Sequence, residues 1–498
     1  MDQIGALLRA VLTEPLQLVR ALASVGSVTQ AVELIETALS LELPADLAAR
    51  LQCLLVELGV VGRDLPAALA AAEEILRCGS GIPSSVRGAV AASRMFGRYF
   101  LDAAEGRRHA EAVLRAYEGR IAEEAEVLAA ASVLSEAVLS DGLVIRGLRL
   151  ARAAVTAAAD LPSPAWRVHL HVVLAERLVD VGAYEEAEQA VRAARADVGE
   201  TTGGSDMVFA HVRARQLGHQ GRLAEARDEA QKALAAAVGR GARLWVPPLL
   251  AVLGQLALLS GDIGGAADYV RRYREALGQS VGRMPSPAYD WVELQVTAAR
   301  YGAGAAMEEL NRRYAAADRR AALFARQPDA AAWFVRTALA AGDGHWAVVA
   351  ATYARQLAER NPGVASLAAA ALHAGSLLDG DPDGLVRAAT EHCHHGARTS
   401  AAEDLTALLD GRFRGPVPAE TDRPDAQVAA ADREATLSDA ERKVAQLVGE
   451  GLTNQQVAFR LRRSPHTINY HLRNIFRKLG IRSRVELARH IHRWTPAP

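Results

Sequence analysis

The chain has 498 residues, half of them hydrophobic but only 5% aromatic, with 40 Gly, 19 Pro and a formal net charge of -1. That length exceeds the needs of one small domain, and an alanine-rich, aromatic-poor composition suits closely packed helices rather than strands, so the expected fold class is all-α. Cys53, Cys78 and Cys393 lie far apart in the chain, which argues against a disulfide framework or a sulfur-rich zinc site and fits a reducing, cytoplasmic setting.

The opening MDQIGALLRA carries an acid at once and lacks a basic stretch followed by an apolar core, so no secretory signal is read there. From about residue 20 to 410 one phrase then recurs: a turn glycine, often with Asp or Arg, followed by an alanine-rich helix. It begins at Gly182 (GAYEEAEQAV), Gly221 (GRLAEARDEA), Gly261 (GDIGGAADYV) and Gly342 (GDGHWAVVAA), with weaker echoes at Gly26, Gly62, Gly142, Gly302 and Gly380. The spacing of about 40 residues is that of a two-helix solenoid repeat. An alanine five residues after the glycine (Ala187, Ala226, Ala266, Ala347, Ala31 and Ala67) lets two helices approach closely, and the glycine supplies the positive φ of the turn. One hairpin cannot bury its apolar face, so about eight to ten would stack into a superhelix with a concave face.

Trp245, Trp291, Trp333 and Trp346 fall in successive repeats and are candidates for a ligand pocket, although aromatics at helical positions also serve as ordinary core. The uncharged run from Trp245 to Gly261 contains Pro247, Pro248 and Gln255 and falls short of the roughly 20 apolar residues of a membrane span. The tract Glu391-His392-Cys393-His394-His395 offers imidazole and thiolate at helical spacing. It lacks a distant second pair, and histidines at a helix end before Gly396 also suit the helix dipole, so no metal is expected. Gly411 to Ala435 loses periodicity and gains Pro416, Pro418 and Pro424, which reads as a linker.

The tail differs in charge. From Leu437 onward about twelve Lys/Arg stand against about four acids, roughly +8, leaving about -9 for the rest, the pattern of a segment that meets a polyanion. Its helix starts follow from capping chemistry. Ser438 with Glu441, Thr453 with Gln456, and Ser483 with Glu486 fit capping boxes; Ser464 before Pro465 is a fourth start, and Gly451 and Gly480 are stops. Helix two, Asn454 to about Arg462, buries Val457, Ala458 and Leu461, and two or three residues separate it from helix three. Such a tight pair is the helix-turn-helix that lays its second helix in the major groove of double-stranded DNA.

At 100° per residue Ile468, Leu472, Ile475 and Leu479 form one stripe of helix three, and His466, Tyr470, Arg473 and Arg477 form the opposite one with Asn469 at its edge. Arginine can bond both acceptors of a guanine edge and asparagine can read adenine, so these five are the candidate base readers. Asn454, Arg460, Arg462, Arg463, Ser464, Thr467, Lys478, Arg482 and Arg484 flank the helix as candidate phosphate contacts.

Leu437, Glu441, Leu447, Gly451, Asn454, Val457, Ala458, Leu461, Ser464, Thr467, Ile468, His471, Ile475, Lys478, Leu479, Gly480, Ser483 and Arg484 together closely resemble the LuxR-type helix-turn-helix domain. The resemblance implies four helices, a recognition helix at Pro465 to Leu479, and a homodimer through helix four at about Ser483 to His492. Where that family usually has lysine after its Thr-Val pair, this chain has Asn469, which shifts readout toward Tyr470 and Arg473. The array looks tetratricopeptide-like, so the whole resembles the rear of large LuxR-type regulators without their NTPase module.

A phosphate-binding loop needs Gly-Lys-Ser/Thr, and Lys232, Lys443 and Lys478 each follow another residue, so no nucleotide or other cofactor is expected. No H-E-x-x-H occurs and no nucleophile elbow is read, so the expected class is a regulator rather than an enzyme. The expected organisation is 1–410 array, 411–435 linker and 436–498 reader. Expected partners are DNA, a second copy, a small-molecule or protein effector on the array, and RNA polymerase, with no membrane. A scaffold that merely tethers itself to DNA is the second reading.

Overall fold

A computed structural model of the chain describes residues 28–40, 43–62, 64–78, 82–117, 124–159, 164–198, 206–278, 287–400, 437–449, 457–458, 460–461, 463, 465–479 and 487. Among these residues the secondary structure is helical throughout, so the fold is all-α and solenoid-like, as composition and periodicity indicate. Internal contacts divide the chain into two compact units, Met1–Leu378 with Val386–Ala402, and Asp379–Leu385 with Glu403–Pro498.

In the first unit the helices run α1 (Val28–Leu39), α2 (Ala45–Gly62), α3 (Leu65–Cys78), α4 (Ser84–Leu101), α5 (Ala103–Ala116), α6 (Ala125–Ser140) and α7 (Val144–Ala157). They continue as α8 (Pro164–Asp180), α9 (Tyr184–Val198), α10 (Asp206–His219), α11 (Leu223–Gly239), α12 (Val246–Leu259), α13 (Ile263–Gly278) and α14 (Pro287–Tyr301). Next come α15 (Ala303–Tyr314), α16 (Ala317–Arg326), α17 (Ala330–Ala341), α18 (Gly344–Arg360) and α19 (Ala365–Asp379), and then α20 (Pro382–His394), of which only the part from Val386 onward belongs to this unit. Neighbours pack as hairpins, α6 on α7, α8 on α9, α10 on α11, α12 on α13, α17 on α18.

The turn glycines are left-handed, with φ of 82° at Gly142, 77° at Gly182 and Gly221, 75° at Gly261 and 79° at Gly342. At Gly182 the amide donates to the Val179 carbonyl (3.1 Å) and the next amide, Ala183, reaches back to Leu178 (2.9 Å), closing the helix end. Five residues on, Ala187, Ala226, Ala266 and Ala347 have no solvent exposure, and neither does Ala31. Ala67 departs from this pattern: it is exposed, and Ala68 is the buried residue. The closing bond there runs from Asp64 to Gly59 (2.9 Å), so the turn falls one residue after Gly62 and the register shifts with it. At the equivalent place after Gly142 stands Gly147, where an added Cβ would lie 2.9 Å from the Ser135 carbonyl and 3.0 Å from Leu139 Cβ.

The array curls on itself. Helix α6 is buried on every side from Val127 to Leu139, because α4, α5, α7 and the much later α16 all cover it. Helix α16 is an extra element between α15 and α17, and its Arg326 reaches Glu136 of α6 and Asp180 of α8. Asn361, at the end of α18, donates from Nδ2 to the Gly142 carbonyl and accepts from the Ile145 amide at 3.2 Å. Helix α2 likewise packs on the single turn Arg243–Trp245. The chain's own α16 thus packs on α6 and α8 of the earlier array.

Alternating charges run through this junction. Glu136 meets Arg177 at 2.7 Å and Arg326; Asp180 meets Arg215 at 2.5 Å and Arg326 at 3.3 Å; Glu176 meets His211 at 3.3 Å. Burial pushes the Glu176 carboxyl up, but His211, Arg177 and Arg215 outweigh it and hold it at about 2. Glu136, Glu176 and Arg215 each stand six residues before a turn glycine, one position of the repeat turned inward three times.

Candidate nucleic-acid interface

In the second unit α21 (Asp439–Gly449) and α22 (Pro465–Leu479) enclose a small apolar core. Leu437, Val444, Ala445, Leu447 and Val448 meet Val457, Ala458, Ile468, Leu472, Ile475, Leu479 and Leu487, with Leu461 half-buried at the margin. The start of α21 is a complete capping box. The Glu441 amide donates to Ser438 Oγ (3.3 Å), and Glu441 Oε2 accepts from the Ser438 amide (2.9 Å).

Between the two helices Leu461 bonds back to Val457 (2.9 Å), and the Arg463 amide reaches the Ala458 carbonyl at 2.9 Å. That second bond spans five residues and ends a helical turn, leaving Ser464 alone between Arg463 and α22. The short connection is the tight helix pair expected from the sequence.

Ile468 and Ile475 have no exposure, Leu472 6% and Leu479 2%, which fixes the rotation of α22. Thr467, His471, Asn474 and Lys478 occupy one half-buried flank. Positions 466, 470, 473 and 477 fall on the backbone side away from the buried stripe, with 469 at its edge, by helical geometry. The side chains of His466, Asn469, Tyr470, Arg473 and Arg477 lie outside the described residues, as do Asn454, Arg462, Ser464, Arg482 and Arg484. So do the capping pairs Thr453/Gln456 and Ser483/Glu486, the stops Gly451 and Gly480, the fourth helix apart from Leu487, and the 411–435 linker. Arg460 and Arg463 are exposed.

Lys478 is engaged within the domain: its Nζ lies 2.5 Å from Glu441 Oε2. Glu441 thus ties the start of α21 to the end of α22 through one buried carboxylate. Burial pushes that carboxyl up, but Lys478 and the two Ser438 bonds outweigh it and leave it below the ordinary value. A depressed carboxyl contributes stability that is full above its ordinary value and lost as pH falls through the folded one. Glu441→Gln is expected to cost the domain about 1–2 kcal/mol, since a capping amide survives while the charge partner of Lys478 is lost. Thermal melts should show most of that difference at neutral pH and progressively less as pH falls below the ordinary carboxylate value. The pairing links two residues read separately from sequence, one as a cap and one as a phosphate contact; only tertiary packing brings them together.

Residues 435–491 match the family described as bacterial regulatory proteins, luxR family. This segment is a LuxR-family helix-turn-helix domain. Over 52 residues the chain is 48% identical to an HTH-type transcriptional regulator of Mycobacterium bovis, a span of 10% of this chain and 6% of that protein. HTH-type transcriptional regulators from two Mycobacterium tuberculosis strains match over the same length at 48% identity. The chain thus matches 6% of the length of these relatives.

The tryptophans singled out in the array fall into two places. Trp291 meets Trp333 edge-on at 4.8 Å, Phe334 lies between Trp291 and Trp346, and Trp346 Nε1 donates to Asn311. Trp291 and Trp346 are buried, Trp333 half-buried, all in the largest apolar cluster of the array. Trp245 sits apart, 5.9 Å from His211. In the histidine tract, His392 is buried, Cys393 is exposed and His395 pairs with Glu391 at 3.6 Å. No three His, Cys, Asp or Glu among the described residues are arranged to hold a metal ion, and no helix among them is long and apolar enough to cross a membrane.

Proposed function

We propose that this chain is a sequence-specific transcription regulator that binds double-stranded DNA as a homodimer through its LuxR-type domain. The array, in this reading, receives a small molecule or a partner protein and biases the reader between competent and incompetent states. The observation that carries the reading is the buried stripe Ile468, Leu472, Ile475 and Leu479, which turns the opposite side of α22, with its His, Asn, Tyr and Arg positions, away from the core. Arg473, Arg477, Asn469, Tyr470 and His466 would meet base edges; Arg460, Arg463 and Arg462 would hold phosphates. Dimerisation through residues 483–492 and activation through RNA polymerase complete the proposal.

Footprinting tests it. A regulator protects two half-sites about one helical turn apart, whereas uniform protection of any sequence would favour a DNA-tethered scaffold. Arg473→Ala is expected to cost about 1–3 kcal/mol of discrimination at one or two base positions. Arg462→Ala should weaken all sequences alike and reduce the salt slope by about one. Equal loss on specific and random DNA for Arg473→Ala would remove it from the base readers.

A further inference from the structure

Three donors converge on one oxygen of the LuxR-type domain. Glu441 Oε2 accepts from the Ser438 amide at 2.9 Å, from Ser438 Oγ at 3.0 Å and from Lys478 Nζ at 2.5 Å. The Glu441 side chain is 6% exposed and that of Lys478 32%. Ser438 immediately precedes α21 and Lys478 stands in the last turn of α22, so a single carboxylate joins the start of one helix to the end of the other. Held below its ordinary value, that carboxyl is ionised near neutrality.

A lysine beside a recognition helix is ordinarily counted as a phosphate contact, and each phosphate neutralised by a free cation releases counterions from the duplex. Lys478 is differently placed. Its charge is answered 2.5 Å away by a carboxylate of the same domain, and a neutral pair displaces no counterion. Drawing the ammonium off to a phosphate would strand a carboxylate that has almost no access to water, which is costly. Arg463, at the end of the preceding helical turn, is by contrast exposed.

We propose that Glu441 withholds Lys478 from the DNA backbone: Lys478 is a positioning residue that fixes the end of α22 against the start of α21, and it adds nothing to phosphate neutralisation while Glu441 is present. This rests on the DNA reading proposed above. Removing the pair as a unit then leaves the electrostatic footprint on DNA as it was. Removing the carboxylate alone frees the ammonium and enlarges that footprint by one charge. A phosphate contact behaves otherwise, since its loss shrinks the footprint in any background. A purely structural ion pair also behaves otherwise, since losing its acid leaves the salt dependence of DNA binding unmoved.

Binding of the full chain to a mixed-sequence DNA duplex, followed by fluorescence anisotropy from about 50 to about 200 mM salt, reads the footprint as the slope of log K against log salt. Glu441→Gln, whose amide still serves the cap, is expected to steepen that slope by about 0.9 for each bound reader. Adding Lys478→Met to Glu441→Gln should return the slope to the wild-type value. Arg463→Ala calibrates the scale by flattening it about 0.9 for each bound reader. If circular dichroism shows that the double variant does not fold, Lys478→Gln takes the place of Lys478→Met. A double variant with a flatter slope than wild type would make Lys478 a phosphate contact, and a Glu441→Gln slope equal to wild type would mean that Glu441 withholds nothing; either result overturns the proposal. A wild-type chain that binds no duplex at all would instead overturn the DNA reading, and this proposal with it.

Discussion

Arg326→Leu is expected to destabilise the array by about 3 kcal/mol, the scale of a buried charge pair broken from one side. Arg326 is the only contribution of α16 to the charge chain described above, and it serves two acids at once, Glu136 and Asp180. Without it Glu136 keeps Arg177 and Asp180 keeps Arg215, but three carboxylates then face two guanidiniums and the His211 imidazole. Asp180 has no side-chain exposure, so water cannot screen the excess. Urea titration followed by tryptophan fluorescence reports the event, because Trp291 and Trp333 lie in the buried cluster that also holds Leu323 and Phe324 of α16. Replacing Glu136 as well, Arg326→Leu with Glu136→Leu, should cost less than the sum of the two single changes, since each single change strands one charge. A shift under about 0.5 kcal/mol for Arg326→Leu would mean the pair behaves like an exposed one.

Ile475→Ala should abolish DNA binding by unfolding the LuxR-type domain. Ile475 has no exposure and sits in a core of about a dozen residues, where losing a branched side chain costs about 2–5 kcal/mol. A domain of roughly 60 residues has little stability to spare, so that loss is comparable with its whole margin. The array holds its own separate apolar clusters, so its melting transition should be unchanged. Loss of DNA binding with both units still folded would instead place Ile475 in the readout, against its burial.

Much of this is legible in the sequence. The stripe Ile468, Leu472, Ile475, Leu479 and the box Ser438/Glu441 depend on a helix's own period and on bonds within one turn, so local sequence suffices for both. The same holds for Gly142, Gly182, Gly221, Gly261 and Gly342, each forced to positive φ by a turn that no side chain favours. Where the local signal was ambiguous it slipped by one residue, as at Ala67, because a glycine near a helix end marks the turn only when it occupies the left-handed position itself.

By itself, then, the sequence determined the helical class, the repeat, the charge contrast between array and tail, and the LuxR-type domain at the end of the chain. Only the tertiary structure decided that α16 turns back into the array, that Arg326 answers Glu136 across 190 positions, that Lys478 pairs with Glu441, and that Ser400 is held by Asp329. The physical reason is the same in each case. Periodicity and capping report interactions among residues within about one helical turn, whereas a buried charge has no local preference for its partner and takes whichever opposite group the folded chain brings within reach.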